Sequence, residues 1–339
     1  MKKKGLLLDD SPYGENKTFF DTLNTAQHPF IYKFHKLLFP AKTKWQKLKS
    51  RLSTLLFCFR IFLVRNRYSQ IVAWQFVYGT VLASFCNFFH VRKCPDIFIL
   101  NCLISQGSLS SKTKGDRFSE KAFSCRFVRK ITVLSEGDAV LARQIFPQAA
   151  SKFVPIRLGI SLREPSVNPK IDSAGYFLST GFSNRDYTYL ENEFAEMPSV
   201  KLMIVCDGLS LKKEHSNIVV VHGVFGPDYY KAIADCFAVI ISSKDPHSTS
   251  GILNLLCAME FGKAIIATKN DCIAEYCKPG QEFLQVDKDD KSSLKNAISI
   301  LQTNPSMKTQ LESMAKKRFF EEYSIECLAQ RISNLINNL

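Results

Sequence analysis

Residues 248–268, STSGILNLLCAMEFGKAIIAT, hold the pattern with the clearest chemical capacity. Ser248, Thr249 and Ser250 can cap the apolar helix that follows, and Gly251 lets another group approach the backbone closely. The free N–H groups and positive end of such a helix attract an anion such as a diphosphate. A capped helix start specifies no ligand by itself, so its surroundings must. Cys257 could suggest a nucleophile, but Leu255, Leu256 and Ala258 around it predict a thiol facing the core. No metal site is expected. Asp207-Gly208 reads as a strand-end turn, and the eleven cysteines form no C-x2-C pair.

The elements that must position this stretch alternate strand and helix. In the second half the β-rich runs are YFLSTGF (176–182), KLMIVCD (201–207), NIVVVHGV (217–224), FAVIISS (237–243) and KAIIATK (263–269), with helical stretches between them. The first half has GLLL (5–8), QIVAW (70–74), DIFILNC (96–102), KITVLS (130–135) and KFVPIRL (152–158). Continuous apolar strands separated by helices mean parallel sheets covered on both faces. The expected fold is α/β: two doubly wound Rossmann-like domains facing a cleft. The expected divisions are a first domain over 1–163, a second over 164–323, and a terminal helix over 324–339 that packs back on the first. Ligands of such sheets bind beyond the carboxyl ends of the strands. Those ends carry Ser179-Thr180-Gly181, Asp207-Gly208, Gly223-Val224 and Ser242 to Gly251.

The 339 residues carry a net charge of +14, very unevenly. Residues 1–160 contain 26 Lys+Arg against 9 Asp+Glu, and residues 161–339 contain 19 against 22. An excess confined to one half implies an anionic partner there, or a solvated basic face. Within it, residues 28–67 mix Lys33, Lys36, Lys42, Lys44, Lys47, Lys49 and Arg51 with Phe, Tyr, Trp and Leu. A basic helix with an apolar face suits an anionic membrane surface; a helical insertion with a basic solvent face is the alternative. Nucleic acid is disfavoured, because no RNA-binding module is present. The apolar run after Lys2-Lys3-Lys4 is too short for a secretory leader. Residues 71–91 lack charge and could span a bilayer, but Gln75, Thr80, Ser84, Asn87 and His90 interrupt them; a strand near 69–74 and a core helix near 76–89 fit better. Singly spread cysteines suit a reducing cytoplasm.

Several motifs, in order, resemble the GT-B glycosyltransferases that use nucleotide sugars to build bacterial polysaccharides. FLSTGFSNRDY is similar to that family's first strand and phosphate loop, LMIVCDGL to its Ile-Val-Gly-Asp-Gly strand, and SGILNLLCAMEFGKAIIAT to its donor helix. The likeness covers about 176–330 and is looser in the first half, where KKGLLLDDSPYGENKTFF resembles the opening strand and glycine loop with Gly14 on the acceptor side. The resemblance implies that Arg185 meets the donor diphosphate, with a solvated helix-start arginine as the alternative. It places Gly181 in the phosphate loop, Gly208 and Val224 by the base and ribose, and the main chain of Ser250, Gly251 and Ile252 at the phosphates. Asn184 and Asp186 are expected to cap the next helix. The chain departs from the family where two glutamates are spaced Glu-x7-Glu: Thr249 and Cys257 stand there. Lys244 and His247 lie just upstream and could reach phosphates or sugar, or remain solvated.

The implied activity is transfer of a hexosyl unit from a nucleotide sugar to a glycan or lipid-linked acceptor, without cofactor or metal. It would serve cell-surface polysaccharide synthesis at the inner face of the plasma membrane. Retention is the expected outcome; inversion would draw a base from Asp9, Asp10 or His28, and nothing in the sequence selects one. The other reading is a non-catalytic GT-B-like binding protein that has lost the glutamate pair.

Overall fold

The computed structural model describes residues 3–36, 43–104, 107–167 and 175–338. Two compact units emerge, Met1–Leu158 with Ile325–Leu339, and Gly159–Ser324.

The first unit is built on a six-stranded parallel sheet. Its strands are β1 (Gly5–Asp9), β2 (Phe30–Phe34), β3 (Gln70–Ala73), β4 (Asp96–Ile99), β5 (Val128–Val133) and β6 (Phe153–Pro155), in the spatial order β2-β1-β3-β4-β5-β6. Its helices are α1 (Lys17–Leu23), α2 (Lys44–Val64), α3 (Phe76–Phe88), α4 (Gly107–Ser110), α5 (Lys114–Phe123) and α6 (Glu136–Ile145). The apolar runs of β1, β3 and β4 are buried because helices cover both faces of the sheet. One layer packs α2, α3 and α5 against it; the other packs α1.

Residues 71–91 divide into β3 and the core helix α3, as their polar interruptions predict. Among the described residues, no helix is long and apolar enough to cross a membrane. The basic segment is not helical throughout. Phe30–Phe34 forms the edge strand β2, paired in parallel with β1, because Phe-Ile-Tyr-Lys-Phe is β-rich and only partly buried. Lys42 lies outside the described residues. The helix α2 then starts at a capping box, with Gln46 N–H to Thr43 Oγ1 and Thr43 N–H to Gln46 Oε1, both 3.2 Å.

The second unit repeats the architecture. Its strands β7 (Phe177–Thr180), β8 (Leu202–Val205), β9 (Ile218–Val221), β10 (Ala238–Ile241), β11 (Ala264–Thr268) and β12 (Leu284–Val286) lie in the order β12-β11-β10-β7-β8-β9. The helices are α7 (Tyr187–Ala195), α8 (Pro227–Asp235), α9 (Ile252–Glu260), α10 (Asp271–Tyr276), α11 (Ser293–Thr303) and α12 (Pro305–Arg318). A break at Asn304-Pro305 separates α11 from α12, as expected; the Asn304 side chain accepts from Met307 N–H at 3.0 Å. The last helix, α13 (Ile325–Asn337), packs on α1 in the first unit through Leu328 and Ile332.

Both strand orders reverse at one place: between β1 and β3 in the first sheet, and between β7 and β10 in the second. At such a point neighbouring connections leave to opposite faces, and a crevice opens beyond the carboxyl ends. It falls at Asp9-Asp10 and Trp74-Gln75 in the first unit, and at Thr180-Gly181 and Ser242-Ser243 in the second.

One helix in the first unit has no room to spare. A Cβ on Gly79, in α3, would lie 2.6 Å from Ile99 Cγ1 and 3.3 Å from Ala73 Cβ. Gly79→Val should lower stability by about 1–3 kcal/mol through overpacking, outweighing a helix-propensity gain of about 0.5 kcal/mol. Denaturant unfolding measures it, and an unchanged midpoint would contradict the tight α3–sheet contact.

Candidate functional site

In the second unit the crevice is organised around Arg185. This side chain is 5% exposed, deeper than a loop residue after a strand suggests. Its Nε donates to Thr180 O at 2.9 Å, and Nη1 donates to Ser183 O at 3.1 Å and Ser250 O at 3.4 Å. Nη2 makes no hydrogen bond among the described residues, and no carboxylate pairs with the guanidinium. Burial holds its pKa below the ordinary guanidinium value. It nonetheless stays charged at neutral pH. The solvated helix-start arginine is therefore excluded, and the cation lies beneath the loops instead of projecting from them.

Two glycines make this placement possible. Gly181 (φ +104°) and Gly251 (φ +115°) both occupy the left-handed region. A Cβ on Gly181 would meet Nη2 at 3.1 Å, and one on Gly251 would meet both Nη1 and Nη2 at 3.3 Å. The guanidinium thus lies between two backbone segments that tolerate no side chain. The carbonyls of Ser183 and Ser250 point at Arg185, so in planar trans peptides the N–H groups of Asn184 and Gly251 are directed away from it.

The helix start differs from expectation. No serine or threonine side chain caps α9; its N-cap is Gly251 itself. Ser250 Oγ donates to Ser183 O at 2.7 Å, and Ser248 Oγ accepts from Ser250 N–H at 3.2 Å. The Ile252 N–H turns back to Thr249 O at 3.2 Å, so it is not free for a ligand. The first intrahelical bond runs from Leu255 N–H to Gly251 O at 2.9 Å, which leaves the intervening donors orphaned as at any helix start.

Asn184 does not cap α7. It sits at φ +55° and clamps the facing loop, with Nδ2 donating to Asp245 O and Oδ1 accepting from Asp245 N–H, both 2.9 Å. Asp186 is the cap, accepting from Tyr189 N–H at 3.2 Å, and it also receives Lys288 Nζ at 3.1 Å. His247 is exposed, with Nδ1 2.7 Å from Asp271 Oδ2. Lys244 is exposed on the same loop. Beneath them Asn254 ties α9 to the sheet: Nδ2 donates to Thr180 O at 2.8 Å, and Oδ1 accepts from the Tyr229 hydroxyl.

Gly208 (φ +75°) turns the chain after β8 with no atom near a would-be Cβ, so the space beside it is open. The adjacent Asp207 accepts from Gly223 N–H at 2.7 Å, joining the loops after β8 and β9. The Val224 side chain is buried, so only its main chain is available to a base or ribose. Thr249 is half-buried on the rim. Cys257 is fully buried with its thiol pushed up to about 12 by burial, as its apolar neighbours predict, and is no nucleophile. Among the described residues no group of His, Cys, Asp or Glu could hold a metal ion.

The first unit sorts its three carboxyl and imidazole candidates. Asp9 is buried, and its carboxylate accepts from Asp10 N–H (2.7 Å), Ser11 N–H (3.1 Å) and Asn16 Nδ2 (2.8 Å). Burial nevertheless raises its pKa. It shapes the loop after β1. Asp10 accepts from Gln75 Nε2 at 3.0 Å, at the carboxyl ends of β1 and β3. His28 precedes β2 and lines a cavity with Lys3, Ser69 and Gln70 at the amino ends of the strands, so it is removed from the rim. Gly14 is exposed, with nothing near it.

Sequence reasoning passed over Glu260, one turn beyond Cys257. It is buried, its Oε1 accepts from Arg163 N–H, and its Oε2 and Arg163 Nε have no hydrogen-bond partner among the described residues. Its signal was a lone carboxylate in the apolar run Leu-Leu-Cys-Ala-Met-Glu-Phe.

No protein-family model matches the chain, and no curated protein matches it. Solved structures do. Sucrose-phosphate synthase from Thermosynechococcus elongatus superposes with a TM-score of 0.70 at 13% identity, over 99% of both chains. HepE from Anabaena, solved in complex with UDP-glucose, gives 0.67 at 16% identity over 100% of both. A glycosyltransferase from Rickettsia africae gives 0.63 at 10% over 99% of both. The chain therefore has the GT-B fold, with two parallel six-stranded sheets and flanking helices.

Burial raises the Glu260 carboxyl to about 7. Its folded pKa exceeds its unfolded one, so the folded chain holds the extra proton between pH 4.5 and 7 and loses stability as pH rises through that window. Glu260→Gln should become the more stable protein above pH 7, by on the order of 1–3 kcal/mol, and show no advantage below pH 4.5. Melting temperatures across pH would show a constant difference if Glu260 titrated normally.

Proposed function

We propose that the protein is a glycosyltransferase that moves a hexosyl unit from a nucleotide sugar to a glycan or lipid-linked acceptor. The observation that carries this reading is the buried, carboxylate-free guanidinium of Arg185 at the switch point of the second sheet. A cation desolvated without a counter-charge is costly unless an anion completes it. Directly above it, the main chain of Asn184 and Gly251 and the start of α9 present further positive partial charge. That arrangement suits a donor diphosphate and, more so, the charge that develops on it as the C–O bond to the sugar breaks. Arg185 then acts as a positioning residue and a fixed charge. Gly208 and the Val224 main chain are assigned to the base and ribose, and Lys244, His247 and Thr249 to the rim facing the sugar.

Two of the structural neighbours, HepE and TarM, were solved with UDP, which supports a uridine diphosphate donor as the first to test. Retention fits this site, because a leaving diphosphate can take the acceptor's proton while no side chain at Thr249 or Cys257 could serve as a base. Should transfer invert, Asp10 is the candidate base with a place on the rim. The role we assign is polysaccharide synthesis at the inner face of the plasma membrane. Exposed Lys44, Lys47, Lys49 and Arg51 on α2, beside exposed Trp45, Leu48 and Leu52, support attachment there. One observation favours a second reading, a non-catalytic GT-B-like binding protein: Thr249 and the buried Cys257 supply no carboxylate where the family has its glutamate pair.

UDP or UDP-glucose should raise the melting temperature, and Arg185→Gln should weaken binding roughly 10- to 100-fold, the loss of a charge-assisted contact. No shift with any nucleotide would refute the donor site. A shift without nucleoside diphosphate release on native membranes would favour the second reading. Changing Lys42, Lys44, Lys47 and Lys49 to Glu should cut binding to anionic vesicles at least ~100-fold, at about 1 kcal/mol per basic residue. Unchanged sedimentation with vesicles would sink the membrane role.

A further inference from the structure

The sequence spreads its cysteines singly, but the first unit brings three together. Cys86 lies in α3, Cys94 in the segment that returns to β4, and Cys125 between α5 and β5. The return is tight. His90 takes φ +47°, Val91 N–H donates to Cys86 O at 3.1 Å, and Arg126 Nη2 holds the carbonyls of Val91 and Arg92, both at 2.9 Å. Cys86 Sγ is then 3.6 Å from Cys94 Sγ. The Cys125 thiol also hydrogen-bonds to Cys86. Nine of the eleven cysteines are buried, Cys86 and Cys125 among them; Cys94 and Cys327 keep partial exposure.

Cys94 opens on a cavity of about 540 Å³, shared with Lys3, Arg92, Lys93, Tyr68 and Phe127. The cavity lies at the amino ends of β1, β3, β4 and β5, the opposite end of the sheet from its carboxyl rim. Lys3, Arg92 and Lys93 are exposed, and Lys3 Nζ donates to Asn66 O at 2.6 Å, which fixes one of these cations. No described residue that lines the cavity is acidic, and nearby Asp96 is already paired with Arg129 at 2.9 Å.

We propose that Cys94 and Cys86 form a thiol–disulfide exchange site for an anionic low-molecular-weight disulfide of the glutathione type. Cys94 is the thiol that a solute reaches, and the cations around it favour a reagent carrying carboxylates. The Cys94 sulfur attacks one sulfur of the reagent: a mixed disulfide forms, the reagent's S–S bond breaks, and one thiol leaves with the Cys94 proton. Cys86 then attacks Cys94 Sγ, forming the Cys86–Cys94 bond and releasing the second thiol with the Cys86 proton. Two protein thiols are oxidised, and one disulfide is reduced to two thiols. The new bond needs a separation of about 2.0 Å. Cys94 lies outside helix and strand, so its segment can close the gap. Cys86 is the slower nucleophile: the Cys125 contact lowers its pKa, but the Cys94 contact and burial together push it up to about 12. The mixed disulfide at Cys94 therefore precedes the ring. This site stands apart from the transferase reading.

The full chain incubated with oxidised glutathione should show, by intact mass and peptide mapping, first one glutathionyl group on Cys94. That adduct should then convert to a Cys86–Cys94 linkage with loss of two hydrogens. Cys86→Ser should stop at the adduct, and Cys94→Ser should give neither product. Arg92→Glu with Lys93→Glu, both at exposed positions, should slow adduct formation at least about 10-fold at low salt. The same variant should leave the reaction of the neutral disulfide of mercaptoethanol unchanged. Cys327, on α13, is the internal reference. Modification of Cys327 as fast as Cys94 would overturn the site, and so would an adduct in the wild type that never closes onto Cys86. Equal slowing of the neutral disulfide would overturn the preference for an anionic reagent.

Discussion

The guanidinium of Arg185 draws three carbonyls from two separate segments onto one buried charge. Thr180 closes β7, Ser183 lies in the loop after it, and Ser250 in the loop before α9. That charge adds to the bonds the loops make directly, Ser250 Oγ to Ser183 O and Lys244 N–H to Asn184 O. Without Gly181 and Gly251 the charge could not fit between them. Two further contacts hold the same edge: Asn184 clamps Asp245, and Asn254 holds α9 to Thr180. The candidate site is therefore made of main chain, and its side chains work mainly from below.

The first unit solves the corresponding problem with the opposite charge. At its own strand-order reversal, the buried Asp9 carboxylate gathers two N–H groups and the Asn16 amide, and so fixes the loop after β1. One switch point gathers donors and the other gathers acceptors. The consequence is electrostatic: donors left over at the Arg185 loops suit an anion, while the half-buried carboxylate beside Asp9 is Asp10, an acceptor suited to a hydroxyl.

Much of the second sheet was legible because its strands are short, mostly apolar and often bounded by Gly, Ser or Asp. The missed strand β2 lay inside a basic aromatic run, where lysines on an edge strand imitate the polar face of a helix. β12, Leu284–Val286, is too short to show any period. At the site, sequence order brought Arg185, Gly251 and the 244–252 loop together correctly. It could not show that Arg185 is buried, that the helix cap is glycine, or that Asn184 and Asp186 have different roles, since each depends on which loops meet across the sheet edge. Glu260 was missed because a single acid in an apolar helix reads as its solvent position, whereas here Arg163 covers it.

The α13 helix completes the core around Leu7, Phe19 and Val72, yet all of residues 159–324 precede it in the chain. Where the chain enters and leaves the second unit, Ile160 N–H bonds to Tyr323 O at 3.0 Å, so the two passages run side by side. The second unit is thus topologically an insertion within the first. During synthesis the order of completion is inverted: the unit begun first must wait, with one face of its sheet covered only by α1, until the inserted unit has emerged whole.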